Sequence, residues 1–350
     1  SSDLIYFDLG GSTKNLLIKD CYLENAQIDA IAIKKVTNCI VENNTFVDSA
    51  TDFYSIASGV TVDRSSNLTI RKNYFIRTGN QDMMAINVFG KSTDIIIEEN
   101  EITNMLRGIN IDEAENIQIR NNRIVNSCNG GIRVEDAFKV LLESNFFETT
   151  AANRTAVFAT AIRDLIIIAN IIDRADSGVV VMHSSKLMVI SNRIDGGAIF
   201  ASSRCGLKLY NCTEAVVSKN QIMTSCYFGL SIYISPKINV DGNIISGSKL
   251  SGIYLWSSDY SVIQSNVIQS NGRYEPSKYE RNGIDIADSS NCTIQKNQVF
   301  DNQTIKTQQF GLVEKGSSDY NIILLNDLRF NAIGAMKIVG THTVTKDNLI

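Results

Sequence analysis

Acidic side chains recur at one position of a short strand pattern in the first part of the chain. The segments G-V-T-V-D, G-I-N-I-D and G-I-R-V-E end in Asp63, Asp112 and Glu135. Paired carboxyls allow one group to protonate a leaving oxygen while the other attacks or activates water, which is the chemistry of glycoside hydrolysis. We interpret these residues as catalytic, with Arg133 binding an acidic sugar or assisting a lyase reaction. A solvated strand face is the alternative interpretation.

Aromatic side chains mark the same strand position later in the chain. Tyr210, Tyr233 and Trp256 follow one another at intervals of 23 residues, and exposed rings offer apolar faces suited to the C–H face of a sugar. The pattern predicts a substrate-binding surface, to which we assign further outward residues of these strands: Asn87, Asn110, Lys208, Tyr254 and Asp285. Aromatic side chains that merely stack under a loop are the alternative.

The alignment of these residues depends on a repeat that runs through the chain. The segment N-L-T-I-R-K-N-Y-F at 67–75 recurs as D-I-I-I-E-E-N-E-I at 94–102 and as N-I-Q-I-R-N-N-R-I at 116–124. The second Asn of each segment is a mark that recurs from Asn44 to Asn348 with a mean period of about 25 residues, within the range of solenoids.

Each repeat contains three short runs in which apolar and other residues alternate: one before the mark, one after it, and one that begins with Gly or Ala. Such alternation predicts strands, and crossovers between parallel strands are right-handed. The sequence therefore predicts an all-β fold, a single-stranded right-handed parallel β-helix of about 14 coils of about 22–31 residues. We expect the Asn mark to adopt a left-handed backbone conformation and to form an amide ladder.

The ends of the chain resemble interior coils. The first coil begins by about Asn15 and the chain stops two residues after Asn348, whereas solenoids normally carry atypical caps. We expect residues 1–350 to form a single β-helix domain that is a fragment or lacks its end caps.

The repeat resembles the pectin-lyase-like superfamily of right-handed β-helix proteins over nearly the whole chain. That superfamily includes pectate lyases, polygalacturonases, mannuronan epimerases, fructan-active transferases and phage tailspikes. The resemblance implies polysaccharide binding or cleavage and an extracellular, cell-surface or virion location. However, His183 lies in M-H-S and His342 in T-H-T, so the G-H-G motif of polygalacturonases is missing, as is the D-P-H-D motif of mannuronan epimerases.

Composition limits the other partners. With 33 basic and 37 acidic residues the formal charge is −4, so no basic excess favours nucleic acid. No uncharged apolar run approaches the roughly 18 residues that span a bilayer, which argues against membrane insertion. Seven cysteines without a C-x-x-C pair and only two histidines predict no metal site and no cofactor.

Two further patterns concern surfaces. Outward positions four residues before the marks are largely apolar, which suggests a homo-oligomer, with a trimer as the hypothesis; a missing terminal segment is the alternative cover. These positions are Ile96, Leu141, Ile166, Met188 and Val216. Long insertions at 48–58, 77–84, 195–205, 271–281 and 301–309 collect at one corner, which is typical of a working face.

Together these patterns predict a polysaccharide-binding and polysaccharide-cleaving β-helix that uses hydrolase-type acid and base groups. A polysaccharide lyase remains open, and so does a non-catalytic glycan-binding fibre, tailspike or surface adhesin.

Overall fold

The computed structural model describes residues 4–8, 14–26, 28–48, 57–78, 83–127, 129–148, 155–196, 204–223, 227–273 and 281–350. The chain forms two compact units, Ser1–Ile171 and Ile172–Ile350, which we call the first and second units. In both units the described elements are strands that belong to three parallel sheets, which we name A, B and C.

The first unit takes one strand of each sheet per coil. Sheet A contains Ile5–Asp8, Ile31–Lys34, Ala57–Asp63, Met83–Phe89, Arg107–Asp112, Ile132–Glu135 and Thr155–Thr160. Sheet B contains Lys14–Lys19, Thr37–Glu42, Ser66–Arg71, Thr93–Glu98, Glu115–Arg120, Phe138–Glu143 and Arg163–Ile168. Sheet C contains Tyr22–Glu24, Thr45–Val47, Tyr74–Ile76, Glu101–Thr103, Arg123–Val125 and Phe146–Glu148. The strand Ile171–Ala175 includes the division between the units.

The second unit repeats this order. Its sheet A contains Ser177–Met182, Cys205–Tyr210, Phe228–Tyr233, Ile253–Trp256, Ile284–Ala287, Phe310–Lys315 and Gly334–Lys337. Its sheet B contains Ser185–Ile190, Thr213–Ser218, Asn239–Asp241, Val262–Gln264, Thr293–Gln295, Ile322–Leu324 and Val344–Lys346. Its sheet C contains Arg193–Gly196, Gln221–Met223, Ile244–Ser246, Val267–Gln269 and Gln298–Phe300.

The predicted all-β solenoid is therefore confirmed, with the three strands per coil that the alternation indicated. The described residues contain no α-helix, and none of them forms a helix long and apolar enough to cross a membrane. Side chains that alternate along a strand point to opposite faces. In the strand Arg107–Asp112 this places Ile109 and Ile111 in the core at 0% exposure and turns Asn110 and Asp112 toward the outer face.

The Asn marks form a buried amide ladder. Asn122 donates from its backbone nitrogen and from Nδ2 to Asn145 Oδ1, both at 3.0 Å, and Asn145 donates in the same way to Asn170 Oδ1 at 2.9 and 3.0 Å. Each amide also donates to a strand carbonyl, as Asn145 does to Ile119 O at 2.8 Å. The predicted ladder is thus present, and it leaves these buried polar groups satisfied.

The predicted backbone conformation of the mark was wrong. The left-handed residue is the one before each mark, for example Lys72 with φ 54° before Asn73 and Asn121 with φ 56° before Asn122. These corner positions accept many residue types because coil-to-coil backbone bonds, such as Lys72 N to Glu98 O at 3.2 Å, hold them there. The mark itself is selected for its buried amide, not for its φ angle.

The glycine that opens many sheet A strands is required by close packing. A Cβ atom at Gly131 would lie 2.6 Å from the Phe147 ring and 2.7 Å from Ala156 O. A sheet C side chain therefore packs directly on the glycine backbone, which explains why this coil carries Gly at the position.

We predict that Asn145→Ala lowers the free energy of unfolding by about 2–4 kcal/mol, because the substitution removes the acceptor of the Asn122 backbone N–H and a donor to Ile119 O. Urea denaturation followed by circular dichroism measures this. Asn121→Gly is the matched control, since Asn121 is exposed with φ 56° and glycine accepts that angle. Equal effects of the two substitutions would contradict the ladder's role.

Candidate functional site

Sheet A of the first unit brings together most of the predicted polar residues. Asn87 pairs with Asn110, Asn110 with Arg133, and Asp112 with Glu135, each in register on neighbouring strands. Neighbouring strands lie about 4.8 Å apart, so the Asp112 and Glu135 side chains leave the sheet next to each other. This is the adjacency that the repeat predicted.

Asp112 is a carboxyl that has no hydrogen-bond or ion-pair partner in the described part of the chain. It is partly buried and accepts no hydrogen bond from any residue in the described ranges. Burial raises the pKa of Asp112, and the negative charges of Glu135, Glu113 and Asp136 raise it further, while Arg133 lowers it. Asp112 is therefore the residue of this surface most suited to hold a proton and donate it.

Glu135 has a different environment. Arg133 Nη2 donates to Glu135 Oε1 within the same strand and forms an ion pair with it. The Arg133 guanidinium carbon also lies 4.8 Å from the centroid of the Phe158 ring on the next strand, so two contacts hold the arginine in place. Of the two neighbouring carboxyls, Asp112 is thus open, whereas Glu135 is bound to the Arg133 cation.

Asp63 is not an open member of this carboxylate set. Its side chain is buried at 8% exposure, and Arg64 donates to both of its oxygens at 3.0 and 2.7 Å. On the neighbouring strand, the residue in register with Asp63 is Phe89 and not a carboxylate. The catalytic assignment of Asp63 stays a prediction, but this bidentate pairing gives the carboxylate a structural partner that the sequence pattern did not indicate.

Arg107 belongs to this surface and was not predicted. Arg107 Nη1 donates to Asn110 Oδ1 at 3.3 Å, and Asn110 Nδ2 donates to Asn87 Oδ1 at 3.0 Å. The sequence feature that could have identified Arg107 is its position directly before Gly108, at the start of a sheet A strand. The sequence pattern covered only the outward positions after the glycine.

The second unit carries an aromatic shelf on its sheet A, formed by Tyr210, Phe228, Tyr233, Tyr254 and Trp256. Tyr210, Tyr233 and Trp256 are in register on successive strands, as predicted. The ring centroid of Tyr233 lies 5.3 Å from that of Tyr254 and 5.6 Å from that of Trp256. Phe228, which precedes a strand glycine as Arg107 does, stacks on Tyr254 at 4.7 Å.

The rings of the shelf contact one another and are partly open. All five rings are partly exposed, and burial raises the pKa of Tyr233 to about 12. Trp256 Nε1 donates to Asp288 Oδ2 at 3.0 Å, which fixes the indole orientation. Fixed rings with one open face can stack on a sugar without first losing conformational freedom.

Two charged residues beside the shelf differ in exposure. Lys208 is partly exposed, and its Nζ lies 5.8 Å from the Tyr210 centroid and 5.6 Å from the Tyr233 centroid. Asp285, which the alternation placed on the outer face, is only 1% exposed. Ser251 and Asn282 donate to Asp285, and Lys315 lies 3.5 Å from it. These contacts cover Asp285, so its predicted role in substrate binding lacks an accessible carboxylate.

The other predicted surfaces are described only in part. The outward apolar positions predicted to mediate association lie in register on sheet B within each unit. Of these, Ile166 is 37% and Met188 41% exposed. Homo-oligomer formation through these positions stays a prediction. Of the five long insertions, only 301–309 lies entirely within the described residues. Among those residues no group of three or more His, Cys, Asp or Glu side chains converges as metal ligands.

Comparison with solved structures shows the same fold at low sequence identity. The A-module of a mannuronan C-5 epimerase from Azotobacter vinelandii matches with a TM-score of 0.59 and 14% identity, over 95% of this chain and 91% of that one. A surface adhesin of Streptococcus pneumoniae matches with a TM-score of 0.50 and 12% identity, over 89% and 81%. The Dettilon tailspike protein matches with a TM-score of 0.53 and 13% identity, over 86% and 62%.

Comparison with curated proteins finds no match. By contrast, the family described as "Right handed beta helix region" matches residues 3–147, 107–200 and 197–349, which together cover nearly the whole sequence. The repeat, the three parallel sheets and the amide ladder agree with this match, and the chain therefore belongs to the right-handed β-helix family.

Proposed function

We propose that this protein binds a polysaccharide on the outer face of sheet A and hydrolyses its glycosidic bonds with Asp112 and Glu135. The observation that carries the proposal is the pairing of these two carboxyls in register: Asp112 has no partner among the described residues, and Glu135 forms an ion pair with Arg133. Pairs whose environments differ in this way divide the acid and base roles between them. The mannuronan epimerase of similar fold supports a glycan ligand, and the surface adhesin supports a surface location.

The chemistry follows from the two environments. Asp112 donates its proton to the leaving glycosidic oxygen as the bond to the anomeric carbon breaks, and Glu135 attacks that carbon to form a glycosyl ester. Water then displaces Glu135 and gives its proton to the Asp112 carboxylate. Carboxyls about 5 Å apart are typical of retaining enzymes, so the proposal implies a product with retained anomeric configuration.

We predict that Asp112→Asn and Glu135→Gln each reduce turnover by about a thousandfold or more while glycan binding persists, because the first removes the proton donor and the second removes the nucleophile. Reducing ends and ultraviolet absorbance, followed together on plant, algal, fructan and bacterial glycans, measure turnover and distinguish the reaction class. Glu115→Gln, which removes an exposed carboxylate on sheet B of the same coil, is the matched control. Wild-type activity in both site variants would refute the assignment.

The raised pKa of Asp112 has a consequence for stability that needs no substrate. The Asp112 carboxyl ionises less readily in the folded protein than in the unfolded chain. The free energy of unfolding is therefore highest below the pKa of the unfolded chain and falls as the pH rises through the raised pKa of the folded protein. Asp112→Asn removes this loss. We therefore predict that the variant unfolds at higher urea concentration than the wild type at neutral pH, and that the difference vanishes in acid. A difference that does not depend on pH would show that ionisation of Asp112 is not its cause.

The aromatic shelf is proposed as a glycan-binding surface of the second unit. We predict that Trp256→Ala weakens glycan binding about tenfold, because stacking of a ring on an apolar face contributes on the order of 1 kcal/mol or more. Affinity electrophoresis in glycan-containing gels measures the effect. Tyr320→Ala is the control. Tyr320 is an exposed ring that lies two residues before the sheet B strand Ile322–Leu324 and is not part of the shelf. Unchanged retention of the Trp256 variant would remove the shelf from the proposal.

A non-catalytic glycan receptor is the second candidate function. The specific observation in its favour is the shelf, which offers a binding surface without requiring any reacting group. Binding without reducing ends or ultraviolet absorbance identifies this case, whereas both signals together identify a lyase.

A further inference from the structure

Charged residues line the corner between sheets A and B of the first unit. Each of them follows a sheet A strand by one or two residues and has a left-handed backbone, with φ between 46° and 66°. Backbone hydrogen bonds such as Lys91 N to Glu113 O at 2.7 Å connect successive coils there. We name these residues the corner row. In coil order they are Lys35, Arg64, Lys91, Glu113 and Asp136.

The corner row changes sign once along its length, because three cations of successive coils are followed by two anions. Arg64 is bound to Asp63. By contrast, Lys91, Glu113 and Asp136 are exposed and form no ion pair with a residue that the structure describes. A surface groove of about 440 Å³ opens where the sign changes, and Lys91, Glu113 and Asp136 line it. The row thus presents a positive part and a negative part on either side of one groove.

Such a row is complementary to itself when a second copy lies against it in the opposite direction. With a two-fold axis between the coils of Lys91 and Glu113, Lys91 of each copy faces Glu113 of the partner subunit, and Arg64 faces Asp136 of the partner subunit. Two copies that lie in the same direction place like charges opposite one another, which is unfavourable. The order of charges therefore favours an isologous, antiparallel pair.

Sheet B continues this face with a row of mainly apolar residues, which we name the middle row. Its members are in register on successive strands, and Ile40 and Ile166 at its two ends are each 37% exposed. The same two-fold axis brings Ile40 opposite Ile166 of the partner subunit. The middle row consists of Ile40, Thr69, Ile96, Gln118, Leu141 and Ile166.

The far side of sheet B carries a second charged row, which lies two residues after the middle row on each strand. The same axis places Glu98 opposite Arg120 of the partner subunit, and Arg71 opposite Glu143 of the partner subunit. Copies in the same direction again place like charges together. An apolar strip between two charged borders is typical of a protein–protein interface. The far row consists of Glu42, Arg71, Glu98, Arg120 and Glu143.

The size of this face sets the affinity to expect. Six coils at about 4.8 Å and strands of six residues at about 3.3 Å per residue give a face of about 29 Å by about 20 Å. Each copy therefore buries about 600 Å², and the two together reach the lower end of the range of about 1,200–2,000 Å² found in stable interfaces. We expect a reversible complex with a Kd in about the micromolar range.

We propose that the protein forms an antiparallel homodimer through sheet B of its first unit, with the corner row determining the register. The middle row supplies buried apolar area. Exposed ion pairs contribute little affinity individually, but their order disfavours other arrangements of the two copies. The dimer differs from the predicted trimer in symmetry, and it does not depend on the proposed hydrolysis.

Sedimentation velocity of the full chain over about 1–100 µM tests the stoichiometry, since this range brackets the expected Kd. We expect a monomer–dimer equilibrium that shifts toward monomer as salt is raised, because salt screens the exposed charges. A monomer at every concentration, or a trimer, would overturn the proposal.

Charge reversal tests the register. Lys91→Glu and Glu113→Lys should each weaken homodimer formation about tenfold or more, because the two-fold axis repeats each change and repulsion replaces attraction. An equimolar mixture of the two variants should dimerise like the wild type, since each copy supplies the charge that its partner lacks. Failure of the mixture to dimerise would overturn the register.

The matched control is Glu24→Lys, which makes the same change of charge as Glu113→Lys at an exposed position of sheet C. It should change the Kd less than twofold, and an equal loss in both variants would reduce the result to a general charge effect and contradict the proposal. If a charge-reversal variant fails to fold, as judged by circular dichroism, the exposed Ile166→Ser decides with the salt dependence. A dimer that neither salt nor Ile166→Ser weakens does not use this face.

Discussion

The buried amide of the Asn mark is the interaction on which the rest of each unit depends. One side-chain oxygen accepts the backbone and side-chain N–H groups of the preceding mark, and the amide nitrogen also bonds to a strand carbonyl. An amide is needed because it both donates and accepts, and because a buried polar group without partners is costly. The ladder aligns neighbouring coils at one corner, so that equivalent residues of the three sheets stand in register.

Register converts a pattern along the chain into sites across it. Asp112 and Glu135 are 23 positions apart in sequence but adjacent on sheet A, and their environments differ because Arg133 pairs with Glu135 whereas burial and neighbouring negative charges act on Asp112. The same alignment assembles Tyr233 and Trp256 into the aromatic shelf. In both units the candidate site is formed by residues of neighbouring coils. The alternation of residues along each strand decides only that their side chains point outward.

In the first unit, a row of four charged residues on sheet B is neutralised by ion pairs, whereas two charged residues of sheet A are not. On sheet B of the first unit, Glu42, Arg71, Glu98 and Arg120 alternate in register, and two ion pairs neutralise them. On sheet A, Arg107 and Asp112 have no charged partner at ion-pair distance among the described residues, although carboxylates and guanidiniums lie nearby. Charges that neighbours do not neutralise remain available to a ligand, which is why the functional proposals concern sheet A.

The sequence by itself determined the repeat, the three strands per coil and the register that makes Asp112 and Glu135 neighbours, because periodic burial of apolar residues specifies both spacing and face. It did not determine which outward side chains stay accessible. Arg64 binds Asp63, Ser251 and Asn282 enclose Asp285, and Arg107 and Phe228 join the surfaces from a strand position that the pattern omitted. Only the tertiary structure decided these cases, because hydrogen bonding and burial of an outward side chain depend on how its neighbours in the same coil and in the next one are oriented, which periodicity does not identify.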